Sequence, residues 1–385
     1  MKLRKIVLTL GLGLTTALSG CSTVSSWFGS SPASEAAKPA ELVDFNPLVS
    51  LTEAWKAEVG DAKGQRFDLQ LADEELFVAG ATAVARLDLN NGRSRWRIDA
   101  PERLSAGVGV GEGVVLVGGA KGEVSVLDAN TGELRWKSLL SSEVASGLLV
   151  ASGNVVARTG DGRVQGLALA DGSRKWLYSR SLPALSMRGS GGMVARDGVV
   201  YIGFPGGKLV ALNASNGAQL WEATVALPRG ATELERVADV MGNPVVDGRQ
   251  VCAVAYQGRV ACFDLRNGSP LWGRDISSSS GLAMDLRHVY VTDDKDAVIA
   301  YAKDSGRGVW RQDKLARRKL STPLSLGDLV VVGDGEGYVH LLSAEDGSFA
   351  GRAKVDSAVL AAPVDIGPGI VVQTSRGSVV AFKLQ

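Results

Sequence analysis

The sequence predicts an all-β fold: an eight-bladed β-propeller with four antiparallel strands in each blade. Three observations predict it. A pattern of about 40 residues recurs along the chain, which is the length of one propeller blade. Each copy holds four short apolar segments, rich in Val and Leu and separated by turn residues. Seven of the eight Trp residues fall at one phase of the pattern, namely Trp55, Trp96, Trp136, Trp176, Trp221, Trp272 and Trp310.

The copies share a Gly four residues before the Trp. Six complete copies are Val84–Trp96, Val124–Trp136, Val164–Trp176, Leu209–Trp221, Val260–Trp272 and Val298–Trp310. A seventh keeps Gly347 but has Gly351 in place of Trp, and an eighth reaches the chain end before its Gly. Trp55 lies 41 residues before Trp96 with no repeat unit ahead of it. We therefore expect the N-terminal strand to pair in the last blade, which closes the ring and removes the exposed strand edges that an open array would have.

The second copy illustrates how each element is assigned. Its strands are expected at 104–110, 114–118, 123–127 and 134–139. Gly122, and Gly258 in a later copy, stand where a tight hairpin requires a positive φ. Asp128 precedes the last turn, where its side chain is expected to cap backbone N–H groups.

The Trp residues are expected to be structural. A large flat side chain at a fixed phase fits the wedge between neighbouring blades, and its indole N–H should find an acceptor there. Because Gly351 replaces a Trp, the contact between the seventh and eighth blades should be packed differently. The alternative of two separate β-domains requires a linker near the middle of the chain, and none is visible.

The N-terminus has the features of an export signal. Three basic residues precede a 13-residue apolar stretch from Ile6 to Leu18, too short for a membrane span. The sequence Leu18-Ser19-Gly20-Cys21 resembles the bacterial lipobox, which implies a signal peptide at 1–20 and a lipid on Cys21; the alternative is an ordinary signal with a chance Cys. The residue after Cys21 is Ser22 and not Asp, and by resemblance to the lipoprotein sorting rule this implies the outer membrane. The following stretch, rich in Ser, Ala and Pro, predicts a flexible tether over 21–46 and a propeller over 47–385.

The composition gives little material for catalysis. Forty-two basic against 41 acidic residues give no electrostatic reason to expect nucleic acid as a partner. Two His and three Cys leave little for a metal site, and His288 and His340 each stand alone in strand signals. The glycine-rich segment 107–111 lacks the helix that a dinucleotide site requires. We predict a protein that is not an enzyme and has no metal or cofactor.

Cys252 and Cys262 flank the hairpin at Gln257-Gly258. A two-residue turn would place them on opposite faces of the sheet, and a three-residue turn would place them opposite each other on one face. An exported protein permits a disulfide. Between a disulfide and free buried thiols, we expect free buried thiols, by a small margin.

Two connections are longer than the repeat requires. Successive Trp residues are 41, 40, 40, 45, 51 and 38 residues apart. The excess lies in residues 180–192, here called the first insertion, and residues 226–243, the second insertion. Both join the outer strand of one blade to the inner strand of the next, so they should lie side by side on one face. Each mixes apolar residues with charges, as a protein-binding surface does; the alternative is that they only tuck into the blade junctions. The run Arg317-Arg318-Lys319, in another connection on that face, is expected to be solvated.

The insertions resemble those of the BamB family, the lipoprotein subunit of the outer-membrane β-barrel assembly machine. The similarity is most specific in 185–189 and 232–240, and it extends over the lipobox and all repeats. It implies that the chain binds the periplasmic POTRA domains of BamA and assists insertion of β-barrel proteins. Leu185 and Met187 would be apolar anchors, Arg188 a donor and Asp239 an acceptor. The family often has a second Asp where this chain has Met241. Unfolded barrel proteins are a further possible partner, held at exposed strand edges.

The repeat also resembles the tryptophan-docking motif of pyrroloquinoline-quinone alcohol dehydrogenases, most closely in Leu127–Trp136. Those enzymes carry adjacent cysteines and a calcium-bound carboxylate cluster, and neither is recognisable in this sequence. The alternative function is therefore a quinoprotein or sugar-binding periplasmic propeller.

Overall fold

Each repeat of the sequence folds into one sheet of four antiparallel strands, and the described part of the chain forms eight such sheets. The structure is a computed structural model, and it describes residues 38–187, 189 and 191–385. The predicted signal peptide, Cys21, most of the predicted tether and Arg188 lie outside the described residues. The chain divides into two units, Met1–Lys38 and Pro39–Gln385, and the second contains all the strands described below.

The strands are numbered in chain order and the blades by their inner strands. The first strand, β1 (Leu51–Glu58), belongs to blade eight. Blade one contains β2 (Gln70–Ala72), β3 (Glu75–Ala79), β4 (Ala83–Asp88) and β5 (Ser94–Asp99). Blade two contains β6 (Gly109–Gly111), β7 (Val114–Gly118), β8 (Glu123–Asp128) and β9 (Leu134–Leu139). Blade three contains β10 (Leu149–Ala151), β11 (Asn154–Arg158), β12 (Arg163–Ala168) and β13 (Arg174–Ser179). Blade four contains β14 (Met193–Arg196), β15 (Val199–Phe204), β16 (Lys208–Asn213) and β17 (Gln219–Thr224).

The second half continues in the same order. Blade five contains β18 (Val240–Asp247), β19 (Gln250–Ala255), β20 (Gly258–Asp264) and β21 (Pro270–Ile276). Blade six contains β22 (Gly281–Met284), β23 (His288–Thr292), β24 (Val298–Ala302) and β25 (Gly308–Gln312). Blade seven contains β26 (Leu324–Leu326), β27 (Leu329–Gly333), β28 (Tyr338–Ser343) and β29 (Phe349–Lys354). Blade eight contains β30 (Val364–Asp365), β31 (Gly369–Gln373), β32 (Ser378–Leu384) and β1. Among the described residues, no helix is long and apolar enough to cross a membrane.

Closure of the ring joins the two ends of the propeller, as predicted. Strand β1 pairs antiparallel with β32, from Leu51 opposite Leu384 to Glu58 opposite Ser378. Ser50 and Gln385 then exchange two backbone hydrogen bonds, with N–O distances of 2.9 and 3.1 Å. The outer strand of the last blade is therefore the first strand of the chain.

The core lies between the blades. Eight clusters of buried apolar side chains each combine residues of two neighbouring blades. The middle strands are buried on both faces, as in β7, where all five residues are buried. The outer strands alternate between buried and exposed residues, since only one face of each meets a neighbour. The near-continuous Val and Leu runs of the middle strands follow from this arrangement.

The predicted role of the Trp residues is confirmed. Trp136 donates its indole N–H to the Leu169 carbonyl of the next blade, over 2.8 Å. Its ring covers Gly172, where an added Cβ would lie 2.6 Å from Trp136 Cε3. Gly172 has a φ of +73°. The glycines under the other six Trp rings are also in the left-handed region, namely Gly92, Gly132, Gly217, Gly268, Gly306 and Gly347. In all seven junctions the acceptor is three residues before that Gly, at Leu89, Ala129, Leu169, Ala214, Leu265, Lys303 and Ala344.

The junction between blades seven and eight is different, as the missing Trp predicts. At Gly351 an added Cβ would lie 2.6 Å from the Val49 carbonyl oxygen. The backbone N–H groups of Leu48 and Val49 both donate to the Ala350 carbonyl, over 2.8 and 2.9 Å. The N-terminal chain therefore packs where blade seven has no Trp.

The end of the predicted tether differs from the expectation. Residues 39–46 contact blades six and seven, instead of standing apart from the propeller. The Ala40 N–H donates to the Ala316 carbonyl over 2.9 Å. The Phe45 ring stacks on Phe349, with centroids 5.4 Å apart. These contacts are not repeated elsewhere in the sequence, so no periodicity announces them. We call residues 39–49 the N-terminal strap.

The expectation of free thiols is wrong: Cys252 and Cys262 form a disulfide. The two residues are direct register partners in β19 and β20. This register corresponds to the three-residue turn, which places both side chains on one face. Within this hairpin it is Gln257 that takes a positive φ, of 46°, whereas Gly258 does not need one.

Candidate partner-binding site

The two insertions lie on one face of the ring and contact each other, as predicted. The first insertion connects β13 to β14, and the second lies between β17 and β19. The Met187 N–H of the first donates to Oδ2 of Asp239 in the second, over 2.5 Å. From Val240 onward the second insertion forms the start of β18. The pairing of β18 with β19 shifts register between Met241 and Val245, so some of the extra residues form a bulge.

Asp239 bonds the insertions to the body of blade four. Its side chain is fully buried. Besides Met187, it accepts a hydrogen bond at Oδ1 from the Gly206 N–H, over 3.0 Å. Gly206 lies in the hairpin between β15 and β16. Both carboxylate oxygens therefore have backbone partners within the chain, and a buried carboxylate with such partners fixes the segments that donate to it.

A single capped turn shapes the second insertion. The backbone N–H groups of Ala231 and Thr232 donate to Oε2 of Glu235, over 2.7 and 3.0 Å. The Glu235 N–H donates back to Oγ1 of Thr232 over 3.2 Å, which is the reciprocal pattern of a capping box. These backbone hydrogen bonds hold the pKa of Glu235 below its usual value. The turn presents Leu234 at its outer surface.

Apolar side chains project from both insertions. Leu185 of the first is 44% exposed, and Leu227 and Leu234 of the second are 62% and 71% exposed. Met187 is half-buried beside them, and Arg229 is exposed. Of the sequence-predicted residues, the structure brings Leu185, Met187 and Asp239 together. Arg188, the predicted donor, lies outside the described residues.

A buried arginine lies beneath the first insertion, and sequence reasoning missed it. Arg158, at the end of β11, is 3% exposed. Its Nη1 donates to the Gly191 carbonyl over 2.5 Å, and its guanidinium lies 5.3 Å from the centroid of the Phe204 ring. Burial lowers the pKa of Arg158 to about 10, while the charge of Asp239 opposes that shift.

An ion-pair network borders the same insertion. Arg180 Nη1 contacts Glu222 Oε2 at 2.5 Å, and Lys208 Nζ contacts Glu222 Oε1 at 3.4 Å. The hydrogen bond from Arg180 holds the pKa of Glu222 below its usual value, in spite of partial burial. The network ties the start of the first insertion to the outer strands of blade four.

Fold and site together define an eight-bladed propeller with tryptophan-docked blades, on one face of which two neighbouring insertions contact each other. Among the described residues, no group of three or more His, Cys, Asp or Glu side chains could hold a metal ion. The family model of outer membrane protein assembly factor BamB matches residues 80–312 and 294–385. The chain belongs to this BamB family.

Similar proteins agree with the family. BamB of Bordetella pertussis is 43% identical over 370 residues, covering 95% of this chain and 94% of that one. BamB of Pseudomonas aeruginosa is 43% identical over 379 residues, covering 97% and 98%. The crystal structure of BamB from Moraxella catarrhalis is 26% identical with a TM-score of 0.80, covering 86% of this chain and 99% of that chain.

The likeness to quinoproteins extends to the fold. A quinohemoprotein alcohol dehydrogenase from Pseudomonas putida HK5 is 16% identical with a TM-score of 0.69, covering 86% of this chain and 76% of that chain. At this identity the similarity shows the propeller architecture alone.

Proposed function

We propose that this protein is a non-catalytic scaffold for the assembly of outer-membrane proteins. Relatives that cover nearly the whole chain are named outer membrane protein assembly factor BamB, which supports this process. The sequence Leu18-Ser19-Gly20-Cys21 supports a lipid anchor on Cys21 at the periplasmic face of the outer membrane. A lipid on Cys21 would keep the propeller at the membrane where its partners act.

The proposed partner is a BamA-like barrel subunit, bound through its periplasmic POTRA domains. One observation carries this proposal: two neighbouring insertions are bonded together through Asp239 and hold Leu185, Leu227 and Leu234 outward. Exposed apolar side chains on adjoining, hydrogen-bonded segments are typical of protein-binding surfaces, where a few such residues supply most of the affinity. A surface that is already fixed loses little conformational entropy on binding.

Within this proposal the residues have different roles. Leu185 and Met187 supply apolar contact, and Arg188 is proposed as the donor to the partner. Asp239 stabilises the insertions from inside the protein and does not itself contact the partner, because its carboxylate oxygens already accept hydrogen bonds from Met187 and Gly206. Loss of its carboxylate would release the first insertion.

Binding to the purified POTRA domains of the same organism tests this function. Leu185→Glu and Leu234→Glu each place a charge in the centre of the proposed contact, and each should raise Kd about tenfold or more. Arg188→Glu should have a similar effect, through charge reversal. The dissociation constants can be measured by biolayer interferometry with the mature chain.

Leu286→Glu is the matched control. Leu286 is 87% exposed in the hairpin between β22 and β23, at the opposite end of the strands from the insertions. This variant should bind like the parent. If Leu185→Glu and Leu234→Glu also bind like the parent, the proposed partner surface is wrong.

Unfolded barrel proteins are a second proposed partner, at the outer strands. Leu134, Leu220 and Leu271 lie in β9, β17 and β21, and each is at least 50% exposed. Outer strands have one unpaired edge, which an extended client segment could extend by β-augmentation. Peptide arrays of barrel strands, probed with the parent and with Leu220→Asp, test this; equal binding by both would remove these edges from the proposal.

A further inference from the structure

Arg158 occupies a repeat position that three other blades fill with glycine. Blades two, four and seven have Gly118, Gly203 and Gly333 at this position, at or next to the end of the second strand. An added Cβ at these three glycines would lie 2.5, 2.5 and 2.3 Å from a valine of the incoming connection of the next blade, namely Val144, Val240 and Val359. These positions are therefore closed by a Gly–Val contact.

In blade three the glycine and the larger side chain exchange places. Arg158 stands where blades two, four and seven have Gly, and the incoming connection brings Gly191 where those junctions have Val. Gly191 cannot carry a side chain, because an added Cβ would lie 2.0 Å from the Gly203 carbonyl oxygen and 3.1 Å from Nη1 of Arg158. The guanidinium fills the space and donates to the Gly191 carbonyl.

A buried guanidinium is a costly way to fill a blade junction. Removing a charge from water is unfavourable, and apolar packing of the same volume does not incur this penalty. The Gly–Val contact of blades two, four and seven fills the junction without it. The guanidinium supplies a charged donor to the Gly191 carbonyl, at the end of the first insertion. The buried Asp239, whose charge acts on Arg158, binds the same insertion at Met187.

We propose that Arg158 is a positioning residue for partner binding: it fixes the end of the first insertion so that Leu185 and Met187 keep the geometry that the partner requires. The inference rests on the proposed function, since it assigns a further residue to the same surface. Arg158 then holds the first insertion at Gly191, and Asp239 holds it at Met187.

The test replaces the charge without emptying the space. Arg158→Met keeps most of the side-chain volume and removes the donors, and buried ionic groups replaced in this way often leave stability unchanged or raised. The variant should retain the urea unfolding midpoint of the parent and should raise Kd for the POTRA domains about tenfold, mainly through faster dissociation. Hydrogen exchange should become faster in residues 180–192 and remain unchanged in blades six to eight.

Gln373→Met is the matched control. Gln373 occupies the same repeat position in blade eight, far from the insertions, and donates from Nε2 to the Ala79 carbonyl over 2.7 Å. It should leave the binding constant unchanged. Arg158→Lys keeps the charge without the planar fork, and it should recover part of the lost affinity.

The outcomes separate the two proposals. If Arg158→Met binds like the parent while Leu185→Glu does not, the positioning role is wrong and the partner surface stands. If Leu185→Glu and Leu234→Glu also bind like the parent, the proposed function itself fails. If Arg158→Met lowers the unfolding midpoint and speeds exchange throughout the ring, or if Arg158→Lys folds normally with no change in affinity or exchange, the residue is structural only and the inference is overturned.

Discussion

Single buried polar residues fix the segments that the repeat does not specify. Asp239 holds the insertions, and Asp334 plays the same part for the N-terminal strap. Asp334 is fully buried and accepts a hydrogen bond at Oδ2 from Arg318 Nε, over 2.7 Å. Arg318 Nη1 in turn donates to the Ala40 carbonyl of the strap, over 2.9 Å. Buried polar networks of this kind favour one arrangement, because breaking any of these bonds would leave a buried polar group unpaired.

His340 completes the network beside the strap, and its surroundings favour the neutral imidazole. Its Nε2 lies 2.9 Å from Asp334 Oδ2, and its Nδ1 accepts from Arg352 Nε over 3.2 Å. Arg352 Nη1 also donates to the Val43 carbonyl of the strap. If Nδ1 were protonated, its N–H would point at the N–H of Arg352, so this contact disfavours protonation of His340. Burial lowers the pKa of His340 below 6.5, and the nearby Arg352 and Arg318 charges act in the same direction, against Asp334.

This lowered pKa predicts a pH dependence of stability. The unfolded chain binds a proton at His340 near pH 6.5 and the folded chain does so only at lower pH, so the contribution of this residue is present above about pH 6.5 and is lost as the pH falls. The parent should lose about 1 kcal/mol of unfolding free energy from His340 between about pH 7.5 and pH 5.5. Urea unfolding at the two pH values measures the loss.

His340→Gln provides the comparison. Its amide keeps a donor toward Asp334 and cannot gain a charge. The variant should therefore show a smaller loss of stability over the same interval, with His288 present in both proteins. An equal loss in the two proteins would show that His340 does not titrate with folding.

At the scale of elements, every blade except blade eight is held by one indole from the blade before it. The Trp ring buries the following Gly, and its N–H satisfies a carbonyl three residues earlier. A Gly is needed because a φ near +74° and the flat ring both exclude a side chain. The same residues that form the sequence repeat are therefore the residues that join the repeats.

Removing one indole should destabilise the whole ring. Trp136→Ala deletes a large half-buried side chain and leaves the Leu169 carbonyl without its donor, and it should lower the unfolding free energy by about 3 kcal/mol. Leu139→Ala, at a 75% exposed position of the same strand, should change it by less than about 0.5 kcal/mol. Chemical denaturation measures both; equal small effects would contradict the proposed joint.

The elements that repeat are the ones that the sequence predicts. Seven in-phase Trp residues and the missing strand unit before Trp55 were sufficient for the blade count and the closure of the ring. The strap was not predictable, because its contacts through Ala40 and Phe45 occur once. The disulfide required the register of one hairpin, which differs by a single turn residue between the alternatives. Arg158 left a signal, a charge at a glycine position, that becomes visible only when the strands are aligned.

At the scale of the whole molecule, the start of the N-terminal strap lies on the same face of the propeller as the two insertions. Ala40 pairs with Ala316 in the connection from β25 to β26, which joins an outer to an inner strand as the insertions do. The first and last strands of the propeller pair within blade eight, and apolar clusters pack that blade against both of its neighbours.

Site-specific photo-crosslinking in intact envelopes tests the central claim most directly. A photoreactive residue is placed at Leu185, at Leu234 or, on the opposite face, at Leu286, and the captured proteins are identified by mass spectrometry. The account predicts that the first two positions capture the POTRA region of the barrel-forming subunit and that position 286 does not. Capture of that subunit from position 286 alone, or from none of the three, would contradict it.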